Sequence, residues 1–161
     1  MIIVSYVVGL GIEFAAAQIR GHEINEGFLV SGLLIPMIMP INAPLWMVGV
    51  STAFAVIIGK EIFGGTGMNI WNPALLARAF FFFSYPSMIS GDKVWVAGMP
   101  DGFSQATPLA EAAQGLPATY DMSSMFWGLI PGSVGETSTF CILLGAILLI
   151  ATGIGSWKSM L

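Results

Sequence analysis

Residues 27–59 read GFLVSGLLIPMIMPINAPLWMVGVSTAFAVIIG and contain no charged side chain. A helix that crosses a membrane needs roughly 20 mostly apolar residues, so this stretch is long enough to enter a bilayer. Three prolines divide it, namely Pro36, Pro40 and Pro44. Because a proline removes a backbone donor and bends or ends a helix, the stretch predicts two helices, at about 28–39 and 44–58, of which the first is short.

The composition of the whole chain is that of a membrane protein. Of its 161 residues, 56% are apolar and only 9% are charged, and the mean hydropathy is +0.85. A soluble domain has about 25% charged residues, so too few charges remain here to cover a surface that faces water. The net charge of −4, without a basic cluster, excludes nucleic acid as a partner. A single cysteine, Cys141, excludes a metal site built from cysteine pairs.

The remaining apolar segments predict an all-α, polytopic transmembrane helix bundle in a single domain, residues 1–161. Besides the two helices above, the predicted elements are a helix at 2–19, a half-helix at 73–85, an outer loop at 87–124, a short helix at 125–130 and a helix at 139–154. The half-helix starts with Asn72 as N-cap and Pro73 as its first residue. Short helices beside glycine-rich breaks are typical of a binding site or path at membrane depth. The chain is expected to be a piece of a longer protein.

The basic residues predict an orientation in the membrane. Arg20, Lys60 and Lys158 adjoin segment ends that an alternating count places on one side. Since cytoplasmic loops are rich in lysine and arginine, that side is predicted to be cytoplasmic. The acidic loop at 87–124 is then predicted to lie outside.

Glu13 is the only charged residue within the first apolar segment. A carboxylate at helix depth costs about 2.5–3.5 kcal/mol on insertion scales, and intramembrane acids usually have a function. Helical spacing places Gly9, Glu13, Ala16 and Arg20 on one face. Glu13 is therefore a candidate for an ion or quinone site. The alternative is a structural carboxylate that faces Arg20 or a lipid headgroup.

Two asparagines have both a binding and a structural interpretation. Asn69 and Asn72 lie three residues apart and could hydrogen-bond a heteroaromatic ring. Trp71 and the aromatic run 80–83 could stack on such a ring. Alternatively, the aromatic run packs against lipid or other helices.

Glu136 and the glycines at 64–67 also have more than one interpretation. Glu136 precedes the last predicted helix and either caps it or provides an oxygen ligand for a cation. The glycines superficially resemble a phosphate-binding loop, but the Gly-Lys-Ser/Thr ending is missing. They instead predict a sharp turn and close backbone packing.

Six motifs identify a family that the chain resembles. They are RGHEINEGF (20–28), GKEIFGGTGMN (59–69), NPAL (72–75), ISGD (89–92), DGFSQAT (101–107) and GETS (135–138). In this order they resemble the B subunit of the sodium-translocating NADH:quinone oxidoreductases and, less closely, the D subunit of the Rnf complex. The resemblance extends over nearly the whole chain.

The resemblance implies a membrane electron-transfer subunit that carries two flavins. It assigns a covalent FMN, joined by a phosphoester, to Thr107, the last residue of a motif in which Gln105 replaces the usual glycine. A separate flavin transferase would attach this FMN. The resemblance also assigns a non-covalent riboflavin to Asn69 and Asn72.

The resemblance places the path of quinone and Na+ on the first helix, at Gly9 and Glu13. It implies electron transfer from NADH through FMN and riboflavin to quinone, coupled to Na+ export, in a complex with other subunits. The implied fold is similar to urea and ammonium channels, and the implied location is multi-pass in the bacterial inner membrane, among lipid. Two alternatives stay open: an Rnf-type subunit that uses ferredoxin and NAD, and a urea- or ammonium-like channel without a redox role.

Overall fold

The computed structural model of the chain describes residues 1–21, 27–89, 108–115, 117, 120–130, 132–133 and 135–160. All regular elements in these parts are helices, which confirms the predicted all-α class. The chain divides into two compact units, one from Met1–Gln105 with Ser133–Gly135 and the other from Ala106–Gly132 with Glu136–Leu161. The single membrane domain stays a prediction.

The described part of the first unit contains five helices and a short 3-10 turn. They are α1 (Ile2–Arg20), α2 (Phe28–Ile38), α3 (Leu45–Gly59), the 3-10 turn (Glu61–Phe63), α4 (Pro73–Ser84) and α5 (Pro86–Ile89). The ends of α1 to α4 differ by at most one residue from the segments expected at 2–19, 28–39, 44–58 and 73–85. These helices therefore follow closely from the spacing of apolar residues and prolines.

Local sequence explains where two of these helices begin and end. Gly21 ends α1 in the left-handed conformation, with φ 68°, which glycine adopts without steric strain. At the start of α4, the Oδ1 of Asn72 accepts hydrogen bonds from the backbone N–H of Ala74 (2.9 Å) and Leu75 (3.4 Å). Pro73 occupies the first helical position. The predicted start of the half-helix is thus confirmed.

Helix lengths divide the first unit into two classes. Among the described residues, the stretches Ile2–Arg20 and Leu45–Phe63 have the length and apolar composition to cross a membrane. By contrast, α4 has 12 residues and extends about 18 Å at 1.5 Å per residue. The hydrocarbon core of a bilayer is about 30 Å thick. α4 is therefore too short to cross it, as expected for a half-helix.

The buried face of α1 consists of small and polar residues. They are Ser5, Gly9, Glu13 and Ala17. Large apolar residues of the same helix are exposed, including Ile3 (77%) and Ile19 (86%). This inverts the pattern of a helix in a soluble protein. It is typical of a helix between lipid and neighbouring helices, where small residues allow the backbones to approach closely.

An apolar core lies among α2, α3 and α4. It includes Ile35, Met39, Val48, Ala55, Ala74, Ala77 and Phe81. Phe80 of α4 stacks on Phe54 of α3, with 4.3 Å between the ring centroids, and Phe81 is fully buried. For these two residues, the interpretation that the aromatic run packs against other helices is therefore confirmed.

The described part of the second unit contains four helices. They are α6 (Pro108–Ala113), α7 (Met122–Trp127), α8 (Thr139–Ala151) and α9 (Trp157–Met160). α6 and the first residues of α7 lie within the stretch 87–124 that the sequence predicts as a loop. Aromatic contacts join α7 to α8, with ring centroids of Trp127 and Phe140 5.1 Å apart.

Two glycines explain why α7 and α8 end earlier than expected. α7 stops before Gly128, which has φ 82°, so the helix does not continue through the expected range 125–130. α8 stops before Gly153, which has φ 71°, and does not reach residue 154. The left-handed conformation of a glycine ends a helix by redirecting the backbone.

Candidate functional site

A buried ion pair joins Glu13 in the middle of α1 to Lys60, the residue that follows α3. The Lys60 ammonium donates a hydrogen bond to Oε1 of Glu13. The two side chains are only 5% and 2% exposed, respectively. Since a charge removed from water carries a large desolvation penalty, each partner requires the other.

This pairing shows that the structural alternative in which Glu13 faces Arg20 is wrong. α1 and α3 run side by side, as Gly49 lies against Val4 and Val8 near their first turns. The end of α3 therefore reaches the level of Glu13. Arg20 lies seven residues further along α1, a rise of about 10 Å, and it contacts a different acid.

A second ion pair lies next to the first one in the sequence. Nη1 of Arg20 is 3.4 Å from Oε2 of Glu61, and Nη2 of Arg20 donates to the backbone carbonyl of Glu61. The Glu61 side chain is 10% exposed, whereas that of Arg20 is 36% exposed. After Glu61 the chain turns through Gly64 (φ 120°) and Gly65 (φ 93°). These values confirm the sharp turn predicted from the glycines.

The ring of Phe28 covers the Lys60 ammonium on another side. Its centroid is 5.7 Å from Nζ of Lys60, within the range of a cation–π interaction. The ring packs directly on Gly9 of α1, where an added Cβ would lie 1.9 Å from Cζ of Phe28. A Cβ added to Gly32 of α2 would likewise lie 2.9 Å from Cε1 of Phe28. Gly9 therefore contacts the charge cluster through Phe28.

These contacts define a charge cluster made of Glu13, Lys60, Arg20 and Glu61. α1 contributes one acid and one base, and the end of α3 with its 3-10 turn contributes the others, so the cluster is neutral overall. Such a cluster fixes the register of the two elements and offers a carboxylate inside a helix of membrane length. The quinone and ion roles of Gly9 and Glu13 stay predictions.

The asparagines expected to bind riboflavin lie beside α4 and are exposed. Asn69 lies in the glycine-rich connection, and Asn72 caps α4 through Oδ1. Nearby, Trp71 makes an edge contact with Phe63, at 5.7 Å between ring centroids. The exposed amides and the half-exposed indole are suitable groups for hydrogen-bonding and stacking on a heteroaromatic ring. The riboflavin site stays a prediction.

Three other residues of interest from the sequence have different outcomes. Thr107 and the neighbouring Gln105 lie outside the described residues, so the FMN site stays a prediction. Glu136 is exposed and is not the N-cap of α8. That position belongs to Ser138, whose Oγ accepts from the backbone N–H of Cys141 at 3.4 Å. The cation-ligand interpretation of Glu136 stays a prediction.

Lys60 is the cluster residue whose contacts sequence reasoning missed. Its side chain is only 2% exposed, and it pairs with Glu13. The orientation predicted from Arg20, Lys60 and Lys158 stays a prediction. One signal in the sequence could have identified Lys60 as the partner. An acid at helix depth requires a counter-charge, and Lys60 is the first charge after the apolar stretch 27–59.

Comparison with known proteins identifies the family of the chain. Residues 1–161 match the model of the NQR2, RnfD, RnfE family. The chain is 53% identical to the B subunit of the Na(+)-translocating NADH-quinone reductase of Chromohalobacter salexigens, over 99% of this chain and 39% of that protein. The proteins of the same name from Ectopseudomonas mendocina and Pseudoalteromonas atlantica are 48% and 46% identical, over 96% and 98% of this chain and 39% and 40% of theirs. The chain thus spans about two fifths of the length of these curated relatives.

Proposed function

The chain belongs to the NQR2, RnfD, RnfE family, and on this premise we propose that it forms part of the B subunit of a sodium-translocating NADH:quinone oxidoreductase. Relatives at 46–53% identity carry this name. In the proposed role, the subunit passes electrons from a covalent FMN via riboflavin to quinone, coupled to Na+ export. The flavins supply the redox chemistry, while the protein supplies their position and the surrounding electrostatics.

The observation that carries this proposal is the burial of Glu13 in α1. Ionisable groups inside transmembrane segments are rare, and they mark ion paths and proton relays. Glu13 is proposed to receive Na+, because a hard cation prefers carboxylate oxygens. Gly9 lies one turn earlier on the same buried face and is proposed to border the quinone.

The Na+ role of Glu13 is tested by Glu13→Gln in the full-length subunit, assembled in its complex. The variant keeps the size of the side chain and removes its charge. Quinone reduction by the variant is expected to lose its dependence on Na+, whereas wild type keeps it. An unchanged Na+ dependence would show that Glu13 is not a Na+ ligand.

Thr107 is proposed to carry FMN through a phosphoester made by a flavin transferase. The motif DGFSQAT at 101–107 supports this assignment. The full-length protein, produced together with the transferase and denatured on a gel, is expected to fluoresce, and Thr107→Ala is expected to abolish the signal. A mass increase of one FMN residue on the peptide around Thr107 is the second measurement. A channel without a redox role would show neither signal in the wild-type protein.

Asn69 and Asn72 are proposed to hydrogen-bond riboflavin. Because Oδ1 of Asn72 already accepts from α4, its amide Nδ2 is the group proposed for the flavin. Asn72→Asp keeps the capping oxygen and removes that donor. Riboflavin content of the purified full-length protein is expected to fall while α4 stays folded. Unchanged riboflavin content in both Asn72→Asp and Asn69→Ala would refute the site.

The proposed setting is the bacterial inner membrane, where the subunit spans several times among lipid and the other subunits of the complex. A fold similar to urea and ammonium channels is part of this proposal, supported by the short helix α4 beside a glycine-rich turn. The family model also includes Rnf subunits, so an Rnf-type role is the second candidate. Reduction of the flavins by NADH with quinone as acceptor favours the first candidate, and reduction by ferredoxin with NAD as acceptor favours the second.

A further inference from the structure

The charge balance at Glu13 limits what can bind there. Within the described part of the chain, the cation paired with the Glu13 carboxylate is the Lys60 ammonium, and both groups are almost completely buried. The neighbouring pair of Arg20 and Glu61 is itself neutral. A Na+ added to Glu13 while Lys60 stays in place would leave a net positive charge inside the protein, which is strongly disfavoured. Na+ and the Lys60 ammonium therefore exclude each other at this carboxylate.

We propose that the Lys60 ammonium is a tethered counter-cation, which occupies the cation position of Glu13 until Na+ displaces it. This inference rests on the proposed function, in which Glu13 receives Na+. Lys60 then acts as a positioning and specificity-determining residue. When no Na+ is bound, the Lys60 ammonium orients the Glu13 carboxylate and neutralises its charge. When Na+ is bound, the ammonium competes with the ion for the carboxylate, so that the ion can leave.

The contacts of Lys60 suit a group that is displaced and returns. A lysine ammonium is a point charge on a flexible four-carbon stem, whereas an arginine guanidinium is planar and bonds a carboxylate through two parallel contacts. The Lys60 ammonium also lies 5.7 Å from the centre of the Phe28 ring. This ring is a second partner for the ammonium when Na+ has displaced it from the Glu13 carboxylate. Gly9 holds this ring against α1.

Arg20 provides the contrast within the same cluster. Its guanidinium contacts Glu61 at both the side chain and the backbone carbonyl. Two contacts to a single residue suit a fixed clamp between α1 and the 3-10 turn. The two bases thus contact different acids, and Lys60 is the one that is paired with Glu13 in the middle of α1.

The experiment measures the rate of quinone reduction against Na+ concentration, using the full-length subunit assembled in its complex at constant ionic strength. Lys60→Gln removes the competing charge, so the KM for Na+ is expected to fall about tenfold, and kcat is expected to fall because the ion leaves slowly. Lys60→Arg strengthens the competitor, so the KM is expected to rise about tenfold. Tenfold corresponds to the lower end of measured couplings between close charge pairs. Arg20→Gln is the matched control, with a KM for Na+ expected within about twofold of wild type.

Opposite shifts of KM in the two Lys60 variants support the proposal, because a purely structural pair would lower stability or kcat without moving the KM for Na+. A KM within about twofold of wild type in Lys60→Arg overturns it, and this variant decides the matter where Lys60→Gln does not assemble. Glu13→Gln separates the two levels of inference. If it keeps the Na+ dependence of wild type, the proposed role of Glu13 fails. If it loses that dependence while both Lys60 variants keep the wild-type KM, only the role of Lys60 fails.

Discussion

Helices α1 and α8 are both rich in large apolar residues, but they differ in what they bury. α1 turns Ser5, Gly9, Glu13 and Ala17 inward, whereas none of the 13 residues of α8, all of which the structure describes, is buried. In water, the helix without any charge would be the buried one. In a bilayer, lipid is as apolar as a leucine side chain, so helices associate through close packing and polar contacts. The difference indicates that small and polar residues mark the face of α1 that packs against other helices.

The largest expected effect comes from breaking the polar contact of α1. Glu13→Leu leaves the Lys60 ammonium buried without its partner, which is expected to lower the free energy of unfolding by about 3–5 kcal/mol. Chemical denaturation of the full-length subunit in detergent, followed by circular dichroism, measures this change. The control is the double variant Glu13→Leu/Lys60→Met, which removes both charges and is expected to recover most of the loss. A double variant as unstable as the single one would show that the contact is not electrostatic.

The next effect tests whether the small residues of α1 are required for close packing. Gly9→Ala places a Cβ 1.9 Å from the Phe28 ring, so the ring must move, at a cost of about 1–3 kcal/mol in stability. Gly11→Ala is the matched control on the same helix, because no atom lies within 4 Å of its added Cβ. There the better helix propensity of alanine is expected to stabilise the helix by up to about 1 kcal/mol. Equal effects in the two variants, by the same denaturation measurement, would refute the packing role of Gly9.

A smaller effect is expected where α4 begins. Asn72→Ala removes the oxygen that accepts from the backbone N–H of Ala74 and Leu75, which is expected to cost about 1 kcal/mol of stability. Asn72→Asp keeps the acceptor and places a negative charge at the positive end of the helix. It is therefore expected to match wild type within about 0.5 kcal/mol. A loss of stability in the aspartate variant equal to that in the alanine variant would contradict the capping role.

The sequence predicts the helix ends of the first unit better than those of the second unit. Several ends of α1 to α4 can be inferred from Gly21, Pro40, Pro44 and Asn72, because these residues act on the backbone locally. The expected ends of α7 and α8 are wrong because Gly128 and Gly153 adopt the left-handed conformation. Apolar composition alone extends a predicted helix through such a glycine. The local signals are present in the sequence, but hydrophobicity outweighs them.

The candidate site could be predicted only in part. Glu13 stands out because a single acid within an apolar segment is rare. Its partner Lys60 does not, since the two lie 47 positions apart in sequence and only the packing of α1 against α3 brings them together. Helical spacing suggests Arg20, which shares the helix with Glu13. Periodicity relates residues within one helix, but it does not say which neighbouring helix supplies a counter-charge.

The smallest expected effect comes from α8 and tests what its exposed face contacts. Ile147 is 64% exposed, so Ile147→Ala removes little packing. If lipid covers this face in the full-length subunit, stability is expected to change by less than about 0.5 kcal/mol, as for other exposed positions.

Val48→Ala on α3 is the matched control, because Val48 is fully buried. Its loss of methyl groups is expected to cost about 1–2 kcal/mol through the cavity that remains. A cost for Ile147→Ala as large as that of the control would mean that protein, not lipid, covers α8 in the full-length subunit. α1 and α8 would then differ in which protein segments they pack against, and not in whether lipid surrounds them.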